Sequence, residues 1–293
     1  MFKKIFITDF DGTLLTDAKK VHPEDIQTLQ QLKDNKIITA IATGRSLASI
    51  MTAFTDMGMA EGPKCLSVDY IIFSTGAGIL EVENNDLFYQ KSIPVKKIRT
   101  ITDFLDEQEM DYMVHAAIPD NCSFLYRSHG KDNPDFYRRI AIYNSCARPL
   151  AKAYQHKTPI SEVLVILPDG QGFDKFEKIK HQLPDLSVIQ ATSPLDHKSV
   201  WIEIFHKDVS KSKTAAFLAK KLGVEPSDVI SVGNDYNDQD LLEWSGKGFM
   251  VENGPKVLKE KFETVSSNNQ CGVTQAVRKS GLLGQDMNVR SKP

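Results

Sequence analysis

The stretch Ile5–Thr13 reads I-F-I-T-D-F-D-G-T, in which an apolar run ends in two aspartates one residue apart. If the run is a buried strand of an open α/β sheet, Asp9 and Asp11 project beyond its carboxyl end, where such sheets bind their ligands. Gly12 lets the chain turn without steric cost, and the hydroxyl of Thr13 can anchor that turn. Taken alone, the same sequence also fits an Asx-rich turn without a function.

The spacing of the two aspartates suits phosphoryl transfer. A carboxylate can attack phosphorus and form an aspartyl-phosphate when a cation reduces the charge repulsion and an acid protonates the leaving oxygen. Asp9 would then be the nucleophile, and Asp11 the acid and base. Whether this interpretation holds depends on the rest of the chain.

The composition excludes several classes of partner. The 293 residues suffice for two domains, and the fractions of 41% hydrophobic and 25% charged residues are ordinary for a globular protein. A net charge of −2 provides no electrostatic footprint for nucleic acid or an anionic membrane. The four cysteines lack zinc-ligand spacing, and no apolar run is long enough to span a bilayer. We therefore expect a cytoplasmic protein with no nucleic-acid or membrane partner.

Apolar runs alternate with helical patterns in the first part of the chain and again near its end. The predicted strands are Ile5–Thr8, Ile37–Ala42, Tyr70–Phe73, Val200–Phe205 and Val229–Val232, and helices are predicted from Pro23 and over Lys211–Leu222. Strands separated by helices imply right-handed βαβ units and a parallel sheet.

Between residues 84 and 197 the pattern changes. It predicts a helix over Pro94–Glu107 and strands at Tyr112–Ala116, Phe124–Arg127, Glu162–Leu167 and Ser187–Gln190. We therefore predict an α/β protein with a Rossmann-like parallel-sheet core, residues 1–83 and 198–293. An α+β cap domain, residues 84–197, is predicted to be inserted into this core.

Four loops lie at predicted strand ends or helix starts: Asp9–Thr13, Thr43–Arg45, Lys211 and Gly233–Asp238. In this order they resemble the four motifs of the haloacid dehalogenase superfamily, in its Cof-type branch of phosphatases with a large inserted cap. The match includes S-T-G-A at Ser74–Ala77, V-S-K at Val209–Lys211 and Asn253-Gly254. Four ordered motifs are far more specific than any one of them.

The resemblance implies a role for each matching residue. Asp9 would be the nucleophile, and Asp11 would protonate the leaving alcohol and then activate water. The groups near the phosphate would be Phe10 through its backbone carbonyl, Thr43, the amide of Gly44, Lys211 and Asn237. The magnesium ion would be held by Asp9, Asp11, Asn234 and Asp238.

One position departs from the family pattern. Where the family has Gly-Asp-x-x-Asn-Asp, this chain has G-N-D-Y-N-D at Gly233–Asp238, so that an amide, Asn234, replaces the usual metal carboxylate. Magnesium accepts a carbonyl oxygen but then loses one negative ligand. Asp238 acting through a water, or Asp235 after a small loop shift, could restore the charge.

The sequence thus predicts a magnesium-dependent phosphomonoester hydrolase that acts through an aspartyl-phosphate on a small phosphorylated metabolite, such as a sugar phosphate. One alternative is a phosphomutase of the same architecture, and another is a phosphosugar-binding regulatory protein with weak turnover. The cap would select the leaving group, with polar candidates Arg127, His129, Arg138, Arg139, Arg148 and Lys152. The sequence leaves the substrate and the oligomeric state open.

Overall fold

The computed structural model describes residues 3–130, 132–151, 156–168, 170 and 172–284. The chain divides into two compact units, Met1–Tyr89 together with Lys211–Pro293, and Gln90–Ser210. None of the helices in the described ranges has the length and apolar character needed to cross a bilayer.

Strands and helices alternate through most of the described chain. The strands are β1 (Ile5–Thr8), β2 (Ile38–Ala42), β3 (Tyr70–Phe73), β4 (Gly78–Glu81), β5 (Asp86–Gln90), β6 (Tyr112–Ala116), β7 (Phe124–Arg127), β8 (Ala147–Pro149), β9 (Ile160–Leu167), β10 (Leu186–Thr192), β11 (Val200–His206), β12 (Val229–Gly233), β13 (Lys247–Val251) and β14 (Glu263–Val265). The helices are α1 (Pro23–Asp34), α2 (Leu47–Asp56), α3 (Val95–Glu107), α4 (Pro134–Ile142), α5 (Gly172–Gln182), α6 (Lys211–Leu222), α7 (Gln239–Trp244), α8 (Lys256–Lys259) and α9 (Gly272–Ser280).

The first unit is built on an eight-stranded sheet with the order β14-β13-β12-β1-β2-β3-β4-β5. The central strand β1 pairs in parallel with β12 on one side and β2 on the other, and β2 pairs in parallel with β3. The predicted parallel core is confirmed. Because these four strands run in one direction, their carboxyl ends lie at the same edge of the sheet.

Apolar side chains of this sheet pack against helix α6. Ile5 and Ile7 of β1 and Ile72 of β3 share a buried cluster with Ala215 and Leu218 of α6. Removing this much apolar surface from water is the main force that fixes the helix against the sheet. The packing holds the first residue of α6 beside the carboxyl end of β1.

The second unit is built on a six-stranded sheet with the order β10-β11-β9-β6-β7-β8. Its strands pair antiparallel, except that β7 and β8 are parallel. Apolar residues on one face pack against α3 and α5, as Val163 and Val165 do with Ile101 and Ile179. The other face packs against α4 through Phe136.

The prediction that Val200–Phe205 returns to the parallel sheet is wrong. This segment forms β11, which pairs antiparallel with β9 and with β10 in the second sheet. The error arose because a short apolar run fits a strand of either sheet equally well. The change of sheet therefore comes after β11, and the second unit ends at Ser210, just before helix α6.

Candidate active site

The carboxyl ends of the central strands bring the predicted motifs together. Asp9 follows β1, and its amide donates to Val232 O at 2.9 Å, which extends the pairing of β1 with β12. Thr43 follows β2, and its amide donates to Ile72 O at 2.8 Å. Asn234 follows β12. The pairing of the parallel strands therefore positions the residues of the site.

Lys211, the first residue of α6, is completely buried and lies between two carboxylates. Its Nζ donates to Asp9 Oδ1 at 2.7 Å and to Asp238 Oδ1 at 2.5 Å. Burial opposes the positive charge, but the two carboxylates outweigh it and raise the pKa of Lys211. One ammonium cannot neutralise two carboxylates. Burial and the neighbouring Asp238 accordingly raise the pKa of Asp9 to about 7, although Lys211 counteracts them.

Asp238 organises the loop that follows β12. Its Oδ2 accepts from the amides of Asn234 at 2.8 Å and Asp235 at 3.0 Å, and its Oδ1 accepts from Lys211. Only glycine fits at position 233, because a Cβ on Gly233 would lie 2.5 Å from Asp238 Cγ. Both oxygens of Asp238 thus bind proton donors, so the structure uses this residue to hold the loop and to orient Lys211.

Asn234 occupies the space beside the second oxygen of Asp9. With its amide nitrogen turned toward Asp9, it donates to Asp9 Oδ2 at 3.0 Å, Asp11 O at 3.1 Å and Thr13 Oγ1 at 3.2 Å. The hydrogen-bond network assigns this orientation, because the amide oxygen would otherwise face only acceptors. Gly12, at φ +75°, allows this close approach, since a Cβ there would lie 2.5 Å from the Asn234 side chain.

The oxygens around the Asn234 amide are chemically suited to bind a divalent cation. A carboxylate, a backbone carbonyl and a hydroxyl converge on one donor, and an amide rotated by half a turn would add its own oxygen. Hard oxygen ligands of this kind are those that magnesium prefers. In the ranges that the structure describes, no three His, Cys, Asp or Glu side chains are placed to bind a metal. A cation here would therefore depend on Asp9 together with neutral oxygens, and the metal assignment stays a prediction.

Asp11 is held by an arginine to which the sequence analysis gave no role. Arg45 donates from Nε to Asp11 Oδ2 at 2.6 Å and from Nη2 to Asp11 Oδ1 at 2.8 Å. The ammonium of Lys19 lies 3.9 Å from Asp11 Oδ1. The Asp11 side chain is 28% exposed, so water reaches it.

Hydrogen bonds from a strained turn at Ser74 and Thr75 hold the turn Thr43–Arg45 in place. The amides of Ser74 and Thr75 donate to Arg45 O at 2.7 Å and to Thr43 O at 2.9 Å. Ser74 and Thr75 have φ of +49° and +53°, a conformation that costs non-glycine residues energy and persists where the surroundings impose it. Gly44 is exposed, and its contact with the phosphate stays a prediction.

The two remaining phosphate candidates lie in different settings. The carbonyl of Phe10 accepts from the amides of Leu14 at 3.1 Å and Leu15 at 2.8 Å, and is therefore committed to the turn. The backbone oxygen beside Asn234 is that of Asp11, and a contact of the Phe10 carbonyl with the phosphate stays a prediction. Asn237 lies partly exposed in the single turn Tyr236–Asp238, and its phosphate contact stays a prediction.

The second unit contains a pair of buried acids that the sequence analysis did not single out. Glu162 of β9 and Glu203 of β11 are 8% and 5% exposed. Burial, followed by the charge of Glu203, raises the pKa of Glu162, whereas Arg139 lowers it. The signal in the sequence was a lone glutamate inside each of two apolar strands. Of the other polar candidates, Arg139 lies 4.6 Å above the Trp201 ring, and Lys152 falls outside the described residues.

Comparison with known proteins identifies the family. The sequence profile of the haloacid dehalogenase-like hydrolases matches residues 6–277. A phosphoglycolate phosphatase of Methanopyrus kandleri is 26% identical over 276 residues, which cover 94% of this chain and 96% of the relative. The phosphatase YwpJ of Bacillus subtilis is 24% identical over 297 residues, which cover 94% and 99%.

Solved structures share the fold. The HAD subclass IIB sugar phosphatase BT4131 superposes with a TM-score of 0.74 at 14% identity, covering 96% of this chain and 100% of that one. The phosphatase BT1666 of Bacteroides thetaiotaomicron gives a TM-score of 0.73 at 17% identity, with 96% of each chain covered. The family predicted from the four motifs is confirmed: this chain is an enzyme of the haloacid dehalogenase-like hydrolase family.

Proposed function

We propose that the enzyme is a magnesium-dependent phosphatase that forms an aspartyl-phosphate on Asp9 and acts on a small phosphorylated metabolite, in the first instance a sugar phosphate. The observation that carries the proposal is the environment of Asp9. One of its oxygens accepts from Lys211 at 2.7 Å, and the other faces the oxygen-lined position of Asn234. A carboxylate held in this way can approach a phosphoryl group whose charge the same surroundings neutralise.

In the first half of the reaction, an oxygen of Asp9 bonds to phosphorus while the bond from phosphorus to the leaving oxygen breaks. Asp11 gives its proton to that leaving oxygen. The Thr43 hydroxyl and the Gly44 amide hold the phosphoryl oxygens, since both lie at the carboxyl end of β2, the neighbour of β1. Lys211 adds a compact positive charge beside the reacting atoms.

In the second half, a water oxygen bonds to phosphorus and the bond to Asp9 breaks, which restores the carboxylate. Asp11 takes the proton of that water, so the enzyme returns to its starting state. When bound between Asp9, the Asp11 carbonyl and Asn234, magnesium would supply positive charge that reduces repulsion between the carboxylate and the phosphate.

The substrate class is supported by the relatives and by the chemistry of the site. Phosphoglycolate phosphatase and the sugar phosphatase BT4131 both take their names from small phosphomonoesters. In this proposal the groups around Asp9 contact the phosphoryl part that all such substrates share. We assign the choice of leaving group to the second unit, in line with its predicted role as a cap.

A phosphatase screen tests the proposal. Purified protein is incubated with phosphorylated sugars, polyols and short acids, with magnesium or with EDTA, and released phosphate is measured. We expect release that requires magnesium and disappears in Asp9→Asn. Isomerised sugar phosphate without release would instead identify a phosphomutase. Binding of sugar phosphates without either reaction would identify a regulatory protein.

A further inference from the structure

Arg45 has a rigid backbone and a side chain aimed at Asp11. Its carbonyl accepts from Ser74 at 2.7 Å, and its amide donates to Thr43 Oγ1 at 3.1 Å. The guanidinium carbon lies 5.7 Å from the centre of the buried Phe10 ring, close enough for a cation–π contact. Backbone and side chain are thus both fixed by neighbours within the first unit.

The contact between Arg45 and Asp11 is a two-point fork. Two nitrogens of the guanidinium donate to two different oxygens, at 2.6 Å and 2.8 Å. Parallel charge-assisted hydrogen bonds of this kind fix the plane of a carboxylate as well as its position, which a lysine cannot do. Lys19, with 62% of its side chain exposed and 3.9 Å away, lacks this geometry.

We propose that Arg45 is a positioning residue for the second half of the reaction, in which it holds Asp11 as the carboxylate that accepts the proton of the attacking water. This inference rests on the proposed phosphatase function. An ionised carboxylate has about four acceptor sites, and the fork uses two of them. The other two remain for water, which reaches the partly exposed side chain.

The step places each bond and proton. The water oxygen forms a bond to phosphorus, and the bond between phosphorus and Asp9 breaks with its electron pair returning to Asp9. The water proton moves to Asp11, which then leaves the fork because a protonated carboxyl accepts less well from arginine. Arg45 therefore orients the carboxylate of Asp11 and has no part in binding the phosphoryl group, since the two nitrogens of its fork already bind Asp11.

Rapid acid-quench kinetics with p-nitrophenyl phosphate separates this role from phosphate binding. The variants are Arg45→Met, Arg45→Lys and the matched control Lys19→Gln, which removes the other cation near Asp11. Three quantities are measured for each: the rate of aspartyl-phosphate formation, its steady-state amount, and the inhibition constant of inorganic phosphate. The wild-type enzyme must first show turnover, and its absence would refute the proposed function and not this inference.

For Arg45→Met we expect the aspartyl-phosphate to accumulate on most of the enzyme, with turnover about tenfold lower, part of the factor of about 10² to 10⁴ that a positioned base contributes. Formation of the intermediate and phosphate inhibition should change less than about threefold. Arg45→Lys should lie close to Arg45→Met, because one point charge cannot form the fork, and it decides the matter if Arg45→Met fails to fold. Lys19→Gln should behave as wild type. An unchanged intermediate level, or phosphate inhibition weakened about tenfold or more, would overturn the proposal.

Discussion

A buried cluster contains two carboxylates, those of Asp9 and Asp238, and one ammonium, that of Lys211. With all three groups ionised, the cluster carries one unbalanced negative charge. The pKa of Asp9 is about 7 in the folded protein because of burial and of Asp238, whereas an aspartate in an unfolded chain titrates near 3.9. The folded state thus binds this proton more tightly. The free energy of unfolding contributed by Asp9 therefore falls as the pH rises from about 4 to about 7.

We expect Asp9→Asn to raise the melting temperature in metal-free buffer at about pH 8, because the amide removes the unbalanced charge at nearly constant size. The free energy of unfolding should rise by an amount on the order of 1 kcal/mol. This follows from about 1.4 kcal/mol per pKa unit, reduced because Lys211 loses one charged partner. At about pH 4 the two proteins should unfold at similar temperatures. Calorimetry at both pH values, with the exposed Asp34→Asn as control, checks this. A lower melting temperature of Asp9→Asn at pH 8 would contradict the charge balance.

Asn234 offers a second test of the charges around Asp9. In Asn234→Asp, a carboxylate would face Asp9 Oδ2, to which the amide now donates at 3.0 Å. Without magnesium the melting temperature should fall through this repulsion. With magnesium it should recover, and the metal should bind about tenfold more tightly if the added charge contributes about 1.4 kcal/mol. Magnesium titration by calorimetry measures both effects.

The matched control is Asn253→Asp, since Asn253 donates to Gly12 O at 2.8 Å and not to a carboxylate. It should leave magnesium binding unchanged. Equal magnesium affinity in Asn234→Asp and wild type would show that Asn234 is not part of the metal site.

The sequence predicted which residues meet at Asp9 because the carboxyl ends of parallel strands share one edge of the sheet. It could not predict which partner each side chain would take. Asp238 was expected near the metal, which stays a prediction, and its oxygens accept from Lys211 and two amides. Arg45 received no role, because a fork at 2.6 Å and 2.8 Å depends on loop path and rotamer, which no spacing rule contains.

The predicted strand Val200–Phe205 was located correctly but assigned to the wrong sheet. Its mid-strand glutamate, Glu203, lies in register with Leu164 of β9, and β9 carries its own glutamate, Glu162, opposite His115 of β6. A strand covered on both faces by helices is rarely interrupted by a charged residue. Glu203 was thus a sign that β11 belongs to another sheet, whereas apolar periodicity alone could not separate the two cases.

We expect Glu162→Gln to stabilise the protein at high pH. Burial and Glu203 raise the pKa of Glu162, so the folded state favours its protonated form and loses stability as the pH rises above the ordinary value. The melting temperature of Glu162→Gln should exceed that of wild type by several degrees at about pH 9 and by less at about pH 5. Thermal unfolding at both pH values measures this. A variant that is equally destabilised at both would show that Glu162 is held as an ion by Arg139.

The candidate catalytic groups belong to one of the two compact units. Asp9, Asp11, Thr43, Asn234 and Lys211 all lie in Met1–Tyr89 or Lys211–Pro293. The inserted domain predicted from sequence runs from 84 to 197, whereas the compact unit runs from Gln90 to Ser210. Composition and loop signals do not report long-range strand pairing, and this is why the two divisions differ.

Exchange of the second unit tests whether that unit determines substrate selectivity while the first unit carries out the reaction. Replacing Gln90–Ser210 by the corresponding segment of a family relative should change the order of preferred substrates and keep magnesium-dependent turnover of p-nitrophenyl phosphate. The reason is that the core groups are proposed to contact the shared phosphoryl part, whereas selectivity needs contacts with the leaving group. Parallel substrate screens of the parent and the hybrid measure it. An unchanged order of substrates in an active hybrid would place selectivity in the first unit.

In the proposed mechanism Asp9 itself becomes phosphorylated during turnover. The most direct measurement is mass spectrometry of Asp11→Asn enzyme, quenched in acid during turnover with magnesium and substrate, because loss of the base should let the intermediate accumulate. We expect one phosphoryl group on the peptide that contains Asp9, removed by hydroxylamine and absent from the Asp9→Asn, Asp11→Asn double variant. A phosphoryl group on another residue, or appreciable turnover by Asp9→Asn with no phosphorylated peptide, would contradict it.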